Sequence, residues 1–502
     1  MTEVVTYADF KGGEFGLTGA WAAPADTFTG RNVLRYYDGS LGPRLGEKPY
    51  VLTGVPNGEL RGLGLVAVGA VTYVWFVVGT TCYRFNAATT ASQAVQVAGG
   101  VALGATSAVP MAYAAVAYVG AFVYVAVPGA ALYRWEHSTN TLYSVPGGPA
   151  AVALCVWGER MYASVGNRLY YSTAGDHSTW PAANYIDLEY AGTITSLTVL
   201  RNQLVITKAD ALDHSWWVLS GVPSVSGSLR KISEEIGPEG WAGVTETATR
   251  IGFAAANQYQ PGEFNGIGVQ LRSNIRAGDT THPGGTTFPF ATTTLRQPDD
   301  WMMAADRAAD SRRSLFVRRD GSWTRHTRTD GDAWLCSAKR KDWIVWAGNG
   351  AAGSPATFYL WQAYNERPPL AADSLATVLD PSIVEFTMPE FIAPKGAEVQ
   401  MASVTVEFRR WNTGSASNNT FDVKVTPVRV FEAANAATTT IGSYSEVPSA
   451  AGAAAGDSSV KRKTFGQLLG YGAGVQVGIA NMRGVAIQRI VVALETRPRQ
   501  GS

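Results

Sequence analysis

Residues 170–208 read YYSTAGDHSTWPAANYIDLEYAGTITSLTVLRNQLVITK. The stretch starts at the aromatic end of one strand and enters a segment of Gly, Asp, Ser and Pro, which suits neither a helix nor a central strand. It resumes with two β-branched runs, Thr193 to Leu200 and Gln203 to Thr207, which meet at Arg201-Asn202. This order predicts a strand, a loop inserted from Asp176 to Asp187, and a β-hairpin that begins the next structural unit.

The inserted loop contains two large aromatic residues and a possible hydrolase set. We expect Trp180 and Tyr185 to anchor the loop by packing, because large aromatic side chains contribute strongly to stability when they are buried. Asp176, His177 and Ser178 stand side by side, but a catalytic triad is assembled in space, and no strand–Ser–turn–helix elbow surrounds this serine. We therefore interpret these three residues as part of the loop structure and predict no catalytic set.

The hairpin pattern recurs along the chain. Its clearest copies are VGAVTYVWFVVGTTCYRFN (68–86), VGAFVYVAVPGAALYRWE (119–136), WGERMYASVGNRLYYS (157–172) and LRNQLVITKADALDHSWWVLSG (200–221), and looser copies span 248–272, 311–328 and 341–362. The first two copies share a Tyr-Arg-aromatic ending, at Tyr83-Arg84-Phe85 and Tyr133-Arg134-Trp135. The steps between copies bracket the roughly 40 to 50 residues of a four-stranded propeller blade.

These observations predict an all-β fold: a β-propeller of six or seven irregular blades followed by a C-terminal β-sandwich domain. We place an extended N-terminal arm at residues 1–50, the propeller at 51–365, a proline-containing linker at 366–382 and the sandwich at 383–502. A chain of 502 residues exceeds the size at which single cores stop growing, about 250 to 300 residues, unless repeats bury their own layers.

Three segments depart from the strand pattern. Residues 283–300 are rich in Thr, Gly and Pro and are expected to form a loop. Trp301 to Ala309 (WMMAADRAA) is the only clear helical candidate, with Asp299 or Asp300 available as an N-cap. Residues 435–465 carry small polar side chains and are expected to form a long, mobile loop.

Composition excludes several classes of protein. The formal net charge is +1, so no global charge excess marks a nucleic-acid or membrane binder. The three cysteines and five histidines lack metal-ligand spacing, and we predict no metal and no cofactor. The N-terminus does not read as a secretion signal, and the most apolar run, Val66 to Val78, is too short for a membrane helix, which needs about 20 residues. We expect a soluble protein, made in a cytoplasm, with no membrane-spanning segment.

Basic residues cluster in one part of the chain. The candidates for contact with DNA are Arg312, Arg313, Arg318, Arg319, Lys339, Arg340 and Lys341. Diffuse positive charge of this kind is sufficient for sequence-independent contact with double-stranded DNA. A solvated rim with salt bridges is the competing interpretation for any one of them.

A glycan-binding or glycan-cleaving propeller is an alternative. Asp187, Glu189, Glu234 and Glu235 are the candidate carboxylates for cleavage, and Trp216, Trp217, Trp343 and Trp346 are the candidate stacking platforms. Each has an ordinary structural interpretation as a strand or turn residue or as a core aromatic.

The opening stretch also resembles a known family. The loop Asp176-His177-Ser178-Thr179-Trp180-Pro181 leads to Ile186-Asp187, a strand, the Arg201-Asn202 turn and the ending Val218-Leu219-Ser220-Gly221. Near the N-terminus stand Phe10-Lys11-Gly12-Gly13, Asn32, Gly39-Ser40-Leu41 and Pro43-Arg44-Leu45-Gly46, and the C-terminal part contains SVTVEFRRW (403–411) and GVAIQRIVVALETRPR (484–499). This set is similar to the tail nozzle family of short-tailed bacteriophages, also called tail hub or tail tubular protein B.

The resemblance implies a structural virion protein of the tail, not an enzyme. It implies a ring of six copies below the portal–adaptor ring, a lumen that conducts double-stranded DNA, and a side surface that holds tail fibres or spikes. Another baseplate or fibre-anchoring tail subunit is an alternative, because other tail proteins also use propellers.

Overall fold

A computed structural model of the chain describes the parts of the molecule that form its strands and their nearest turns. The described residues are 2–8, 10, 13–14, 27–31, 33–35, 39–43, 48–50, 60–68, 71–78, 80–86, 95–96, 111–116, 120–127, 129–130, 132–136, 138–189, 191–210, 214–223, 228–234, 236–238, 240, 243–246, 249–254, 261–271, 292–294, 301–307, 312–319, 322–326, 336–340, 343–348, 357–362, 384–395, 397–410, 419–428, 437–446, 460–466 and 471–498.

The elements of this described part are β-strands. The N-terminal segment contains β1 (Thr2–Ala8), β2 (Gly13–Glu14), β3 (Thr27–Arg31), β4 (Val33–Arg35), β5 (Leu41–Pro43) and β6 (Lys48–Tyr50). The central region contains β7 (Leu60–Val68), β8 (Val71–Val78), β9 (Thr81–Asn86), β10 (Val95–Gln96), β11 (Met111–Val116), β12 (Gly120–Ala126), β13 (Leu132–Glu136), β14 (Thr141–Ser144), β15 (Ala153–Trp157), β16 (Arg160–Val165), β17 (Arg168–Tyr171), β18 (Tyr185–Asp187), β19 (Thr193–Leu200), β20 (Gln203–Ala209), β21 (His214–Leu219), β22 (Leu229–Glu234), β23 (Val244–Glu246), β24 (Ile251–Ala254), β25 (Pro261–Phe264), β26 (Val269–Leu271), β27 (Thr292–Thr294), β28 (Trp301–Arg307), β29 (Arg312–Arg319), β30 (Ser322–His326), β31 (Cys336–Arg340), β32 (Trp343–Gly348) and β33 (Thr357–Gln362). The C-terminal region contains β34 (Glu385–Thr387), β35 (Phe391–Ile392), β36 (Ala397–Arg410), β37 (Asn419–Val428), β38 (Thr439–Glu446), β39 (Val460–Phe465), β40 (Gly474–Arg483) and β41 (Val485–Pro498).

The central strands form a propeller. In the described residues there are seven four-stranded antiparallel units: β7–β10, β11–β14, β15–β18, β19–β22, β23–β26, β27–β30, and β31–β33 with β6. We number them blades one to seven. The first strands of successive blades lie side by side, and β31 lies against β7, so the ring closes. The propeller prediction is confirmed, and each of the seven hairpin copies seen in the sequence falls in its own blade.

Blade seven is completed from the other end of the chain. Strand β6 pairs antiparallel with β33, so that Tyr50 lies opposite Phe358 and Lys48 opposite Leu360. A strand from the N-terminal segment therefore provides the outer edge of the last blade. This closure joins the two ends of the ring by backbone hydrogen bonds.

The hairpin predicted in the opening stretch is present in blade four. Strand β19 covers Thr193–Leu200, as expected, and β20 runs two residues beyond the expected end. Arg201 and Asn202 both have positive φ, 49° and 59°. Two consecutive residues with positive φ are the signature of the type I′ turn, whose twist matches that of the paired strands.

The apolar side chains of the propeller are buried between neighbouring blades. Trp75 of blade one meets Trp135 of blade two with ring centroids 4.1 Å apart, and Trp216 of blade four stacks on Phe264 of blade five at 4.5 Å. All four side chains are fully buried. Removing one of them to alanine would cost about 3–5 kcal/mol, so each layer stabilises the contact between two blades.

The propeller has two faces that topology distinguishes. The turns after the first and third strands of each blade lie on one face, here called the lower face. The turns after the second strand and the connections between blades lie on the opposite, upper face. The loop inserted in the opening stretch joins the third and fourth strands of blade three, so it belongs to the lower face.

The prediction of a helix from Trp301 to Ala309 is wrong. The segment forms β28 (Trp301–Arg307), the second strand of blade six, and pairs along its whole length with β29. Ala-rich composition is a weak preference, and pairing with strands on both sides overrides it. The preceding segment, expected to be a loop, contains the short first strand β27 (Thr292–Thr294).

The C-terminal region forms a sandwich of two sheets. Sheet I has the order β39-β36-β41-β5-β4, with β1 also paired to β41. Sheet II has the order β3-β34-β40-β37-β38, with β35 on β40 and β2 on β3. Side chains from both sheets share one core, in which the rings of Phe408 and Phe421 meet edge to face at 5.0 Å. The alternation of buried and exposed residues in β36 and β37 is the pattern of half-buried strands.

The described strands within residues 1–50 do not form a separate extended arm. Their strands are incorporated into the sandwich, as β1, β4 and β5 in sheet I and β2 and β3 in sheet II, while β6 closes the propeller. A single parallel pair, Arg31 with Arg325 of β30, connects sheet II to blade six. Strands this short have no periodicity of their own, so their pairing depends on partners hundreds of residues away. The predicted linker, 366–382, lies outside the described residues.

The long loop expected at 435–465 contains two strands. Strand β38 (Thr439–Glu446) is the last strand of sheet II, and β39 (Val460–Phe465) is the last strand of sheet I. Strand β39 is exposed at five of its six positions, and β38 is exposed at four of its eight. An edge strand that is open to water on several sides does not need the alternating apolar pattern that identifies a half-buried strand.

Candidate functional site

The loop at residues 172–184 is the candidate site, because it contains both the possible hydrolase set and the loop motif of the family resemblance. It leaves β17 at the lower face of blade three, and its own backbone bonds fold it tightly. The Thr173 N–H donates to the Thr179 carbonyl at 2.9 Å, and the Gly175 N–H donates to the Glu159 carbonyl at 2.8 Å. The loop is therefore fixed to the first hairpin of its own blade.

Asp176 folds the loop from inside. Its carboxylate oxygens accept hydrogen bonds from the Ser178 N–H at 2.9 Å and from the Thr179 hydroxyl at 2.6 Å. These bonds stabilise the ionised form and lower the pKa of Asp176 below its usual value. The carboxylate is thus occupied by its own loop and does not orient the neighbouring histidine.

Ser178 connects the loop to blade two. Its hydroxyl accepts a hydrogen bond from Arg134 Nη1 at 2.7 Å and shares a hydrogen bond with the Tyr124 hydroxyl at 2.9 Å. Arg134 lies on β13 and Tyr124 on β12, directly opposite one another. Burial raises the pKa of Tyr124, so this phenol stays protonated. Ser178 therefore takes part in a polar link between adjacent blades.

His177 is buried beside this link, with 8% of its surface exposed. Its ring meets the Tyr124 ring edge to face, with centroids 6.4 Å apart. Within the described part of the chain, neither ring nitrogen has a hydrogen-bond partner. Burial lowers the pKa of His177. A hydrolase would need a nitrogen of this ring on Ser178 Oγ, and that bond is not made here.

Trp180 places the loop against the apolar layer between blades two and three. It is 9% exposed, and its Nε1–H donates to the His177 carbonyl at 3.1 Å. The layer that it joins consists of Phe122, Tyr124, Ala126, Leu132, Val145, Ala151, Met161 and Ala163. The indole thus contacts blade two while its own chain belongs to blade three.

Tyr185 has a different environment. It lies on β18, the outer strand of blade three, and is 38% exposed. The Arg168 guanidinium lies 4.0 Å from its ring centroid and forms an ion pair with Asp187 at 2.6 Å. The Tyr170 ring lies 5.9 Å away. The structure does not bring Tyr185 together with Trp180 in one buried cluster.

The sequence did not single out Tyr124 and Arg134 as partners of the loop, although a signal was present. Arg134 is the arginine of a repeated Tyr-Arg-aromatic ending, and its counterpart in blade one is Arg84. The Arg84 guanidinium lies 5.0 Å from the centroid of the Trp135 ring in blade two. The repeated arginine thus marks contacts between blades, although the partner of each arginine differs.

The proposed DNA-contacting residues fall on two different faces. Arg318, Arg319, Lys339 and Arg340 lie at the lower-face ends of β29 and β31, whereas Arg312 and Arg313 begin β29 at the upper face. Strand β31 is the innermost strand of blade seven, and β29 is the third strand of blade six. Lys341 lies outside the described residues. The topology therefore groups four of the seven residues on one face, across two adjacent blades.

Two of the carboxylates considered for glycan cleavage have ion-pair partners. Asp187 pairs with Arg168, and Glu234 pairs with Lys231. The backbone carbonyl of Glu189 accepts a hydrogen bond from Lys208 Nζ. Glu235 lies outside the described residues.

The tryptophans considered as stacking platforms are buried wherever their side chains are described. Trp216 is fully buried and Trp217 is 5% exposed, so neither offers a face to a sugar. Trp343 and Trp346 lie on β32 of blade seven. The described residues contain no group of three or more His, Cys, Asp or Glu placed to hold a metal ion. Nor do they contain a helix long and apolar enough to cross a membrane.

Comparisons with known proteins concern the fold. No protein-family profile and no curated protein sequence matches the chain. Its structure is similar to the WD40 domain of Pan2 from Neurospora crassa, with a TM-score of 0.41, 7% identity, and coverage of 62% of this chain and 91% of that one. It is similar to the β-propeller domain of the Trilobed protease from Pyrococcus furiosus, with a TM-score of 0.39, 8% identity, and coverage of 64% and 100%. It is also similar to a catalytically inactive virginiamycin B lyase from Staphylococcus aureus with quinupristin, with a TM-score of 0.41, 12% identity, and coverage of 64% and 97%.

At these TM-scores and identities, the likenesses carry no argument about function. The class of the protein follows from its own strand order: a seven-bladed β-propeller, as far as its residues are described, joined to a β-sandwich.

Proposed function

We propose that the chain is a structural subunit of a phage tail nozzle, assembled with copies of itself into a ring. The observation that carries the proposal is the use of the Asp176–Pro181 loop, the most distinctive part of the sequence resemblance. Ser178 bonds to Arg134 of blade two, Trp180 packs in the layer between blades two and three, and Asp176 bonds to Thr179 within the loop. These contacts fold the loop and join two blades, and that role fits a structural scaffold.

The architecture supports the same proposal. Layers of large aromatic side chains join successive blades, and the N-terminal strands join both domains. Such a subunit presents two rigid faces and a sandwich for contacts with neighbours. In the proposed assembly six copies surround a lumen below the portal–adaptor ring, and fibres or spikes attach at the side.

The proposed lumen conducts double-stranded DNA without reading its sequence. Lower-face residues Arg318, Arg319, Lys339 and Arg340 are the proposed contacts, because the topology places them on one face of adjacent blades. Contacts with phosphates through arginine and lysine require no particular base sequence. The proposal includes no catalytic step and no cofactor.

Electron microscopy of the purified full chain tests the proposal. Cryo-EM class averages, recorded for the protein alone and after mixing with its phage's portal–adaptor ring, should show rings with six subunits. Mass spectrometry of purified virions should detect the chain. A monodisperse monomer that does not assemble with the adaptor and is missing from virions would overturn the proposal.

A further inference from the structure

Strand β39 (Val460–Phe465) forms an open edge of the sandwich. Within the described residues it pairs with β36 on one side and has no strand on the other. Every residue from Val460 to Thr464 is exposed, and Val460 retains 52% of its surface. Phe465 alone is buried, and it packs against Gly442 of β38. The strand therefore presents a row of backbone N–H and C=O groups that can pair with another extended chain.

Both sides of this strand carry positive charge. Phe465 points into the core, so alternation directs Lys463 and Lys461 toward the same side, at the open margin of the sandwich. Arg462 points the other way and forms an ion pair with Glu407, which also lies 3.5 Å from Arg489. Lys463 has no ion-pair partner among the described residues.

The balance of charge at the edge is strongly positive. The cationic residues on β39, on its cross-strand partners and on their ion-pair partners are Arg409, Lys461, Arg462, Lys463 and Arg489, and Glu407 is the one carboxylate of this described set. Nearby, Glu446 pairs with Arg410, and Lys461 helps to lower the pKa of this carboxylate. An anionic partner would therefore gain attraction along the whole strand.

We propose that β39 is a docking edge for an extended acidic segment of a partner protein, which adds a strand to sheet I. The partner's backbone pairs with the free edge, and its acidic side chains on the two faces meet Lys461, Arg462 and Lys463. The same charges disfavour pairing with β39 of a second copy, because like charges would lie opposite each other. The inference rests on the sandwich alone and does not depend on the proposed function.

Duplex DNA is the competing anionic ligand, and the edge geometry argues against it. DNA would use the positive charges but leave the N–H and C=O groups of β39 unpaired. An extended peptide uses both features of the strand. The two ligands therefore differ in what they do to the backbone amides, and this difference can be measured.

Binding to the full chain is measured with a fluorescein-labelled peptide of alternating Thr and Glu, long enough to span β39. A peptide of alternating Thr and Lys and a short DNA duplex serve as comparison probes. We expect the Thr-Glu peptide to bind, the Thr-Lys peptide not to bind, and hydrogen–deuterium exchange to slow at β39 amides in the complex. The Lys461→Glu/Lys463→Glu variant should bind the acidic peptide about tenfold more weakly.

Two further variants control for folding and for general charge. Lys395→Glu changes an exposed lysine between β35 and β36 and should leave binding unchanged. Lys463→Gln removes one charge that has no described ion-pair partner, and it should weaken binding about twofold even if the double reversal fails to fold. Absence of peptide binding, or equal weakening by Lys395→Glu, would overturn the proposal. Comparable binding of the duplex without amide protection would replace it with a surface for polyanions.

Discussion

Replacing Trp180 with alanine tests whether the loop at 172–184 holds blades two and three together. The indole is 9% exposed and lies in an apolar layer that blades two and three share. Truncating a buried tryptophan costs about 3–5 kcal/mol, because burial is lost and a cavity remains. The hydrogen bond to the His177 carbonyl contributes about 1 kcal/mol more. Because the indole keeps some exposure, we expect a total loss of about 4 kcal/mol.

Tyr185→Ala is the matched control. The tyrosine is in the same segment of sequence and was expected to have the same role, but it is 38% exposed and contacts mainly the Arg168 guanidinium. A cation–π contact at an exposed site is worth about 0.5–1 kcal/mol. The alanine variant should therefore lose about 1 kcal/mol. Trp180→Phe should fall between the two, because it keeps an aromatic ring but loses the Nε1–H donor.

Differential scanning calorimetry follows the loss of stability in the propeller, and electron microscopy of the same samples follows ring assembly. The Trp180→Ala variant should lower the propeller's melting temperature by about 6 °C, since a domain of this size shifts by roughly 1.5 °C for each kcal/mol. Tyr185→Ala should shift it by about 2 °C at most. Equal shifts in the two variants, or no shift in either, would refute the conclusion that Trp180 is a contact between blades.

Three further changes test separate features of the structure. Burial lowers the pKa of His177, so below the usual histidine range the unfolded chain binds more protons than the folded chain. The free energy of unfolding should therefore be highest above about pH 6.5 and should fall as the pH drops through the lowered pKa. Denaturant titrations between pH 4 and 7, in about the range of titrating histidine, should show a weaker pH dependence for His177→Gln, and an unchanged dependence would contradict this reasoning. Arg201→Gly should raise the free energy of unfolding by about 0.5 kcal/mol and so raise the denaturation midpoint, because glycine adopts the φ of 49° without steric cost. A lower midpoint would show that the arginine's own contacts outweigh the strain. Gly442→Ala should destabilise the sandwich by about 1–3 kcal/mol, because the added Cβ would collide with the Phe465 ring, and a neutral effect in thermal unfolding would show that β38 and β39 can separate there.

The repeated hairpins were predictable because their information is local. Blade four illustrates this: β-branched residues alternate on either side of Arg201-Asn202, and the bounds of β19 match the expectation. A two-residue turn with positive φ at both positions leaves the flanking strands only one register. The same local signals predicted the hairpins of the other blades, including the looser copies.

Exposed and short strands were not predictable in this way. Strand β39 reads VKRKTF, with one buried residue, and nothing in its pattern separates it from a polar loop. Strand β6 has three residues, and its place in blade seven depends on pairing with β33, more than 300 residues along the chain. Strand β28 has an Ala-rich sequence, and pairing with β29 decides its conformation.

The loop at 172–184 shows where local sequence information ends. The sequence predicted an inserted loop, whose last three residues instead form β18, and a packing anchor at Trp180, which is buried. The partners of Ser178, Tyr124 and Arg134, are 54 and 44 residues away and belong to another blade.

The sequence by itself determined the class of fold, since turn residues and β-branched runs define each hairpin within a few residues. Tertiary structure alone decided which blade supplies each contact, on which face of the propeller each basic residue lies, and which sheet edges stay open. The physical reason is that a hairpin is fixed by neighbours in the chain, whereas a layer between blades or a free sheet edge depends on segments that meet only after the ring has closed.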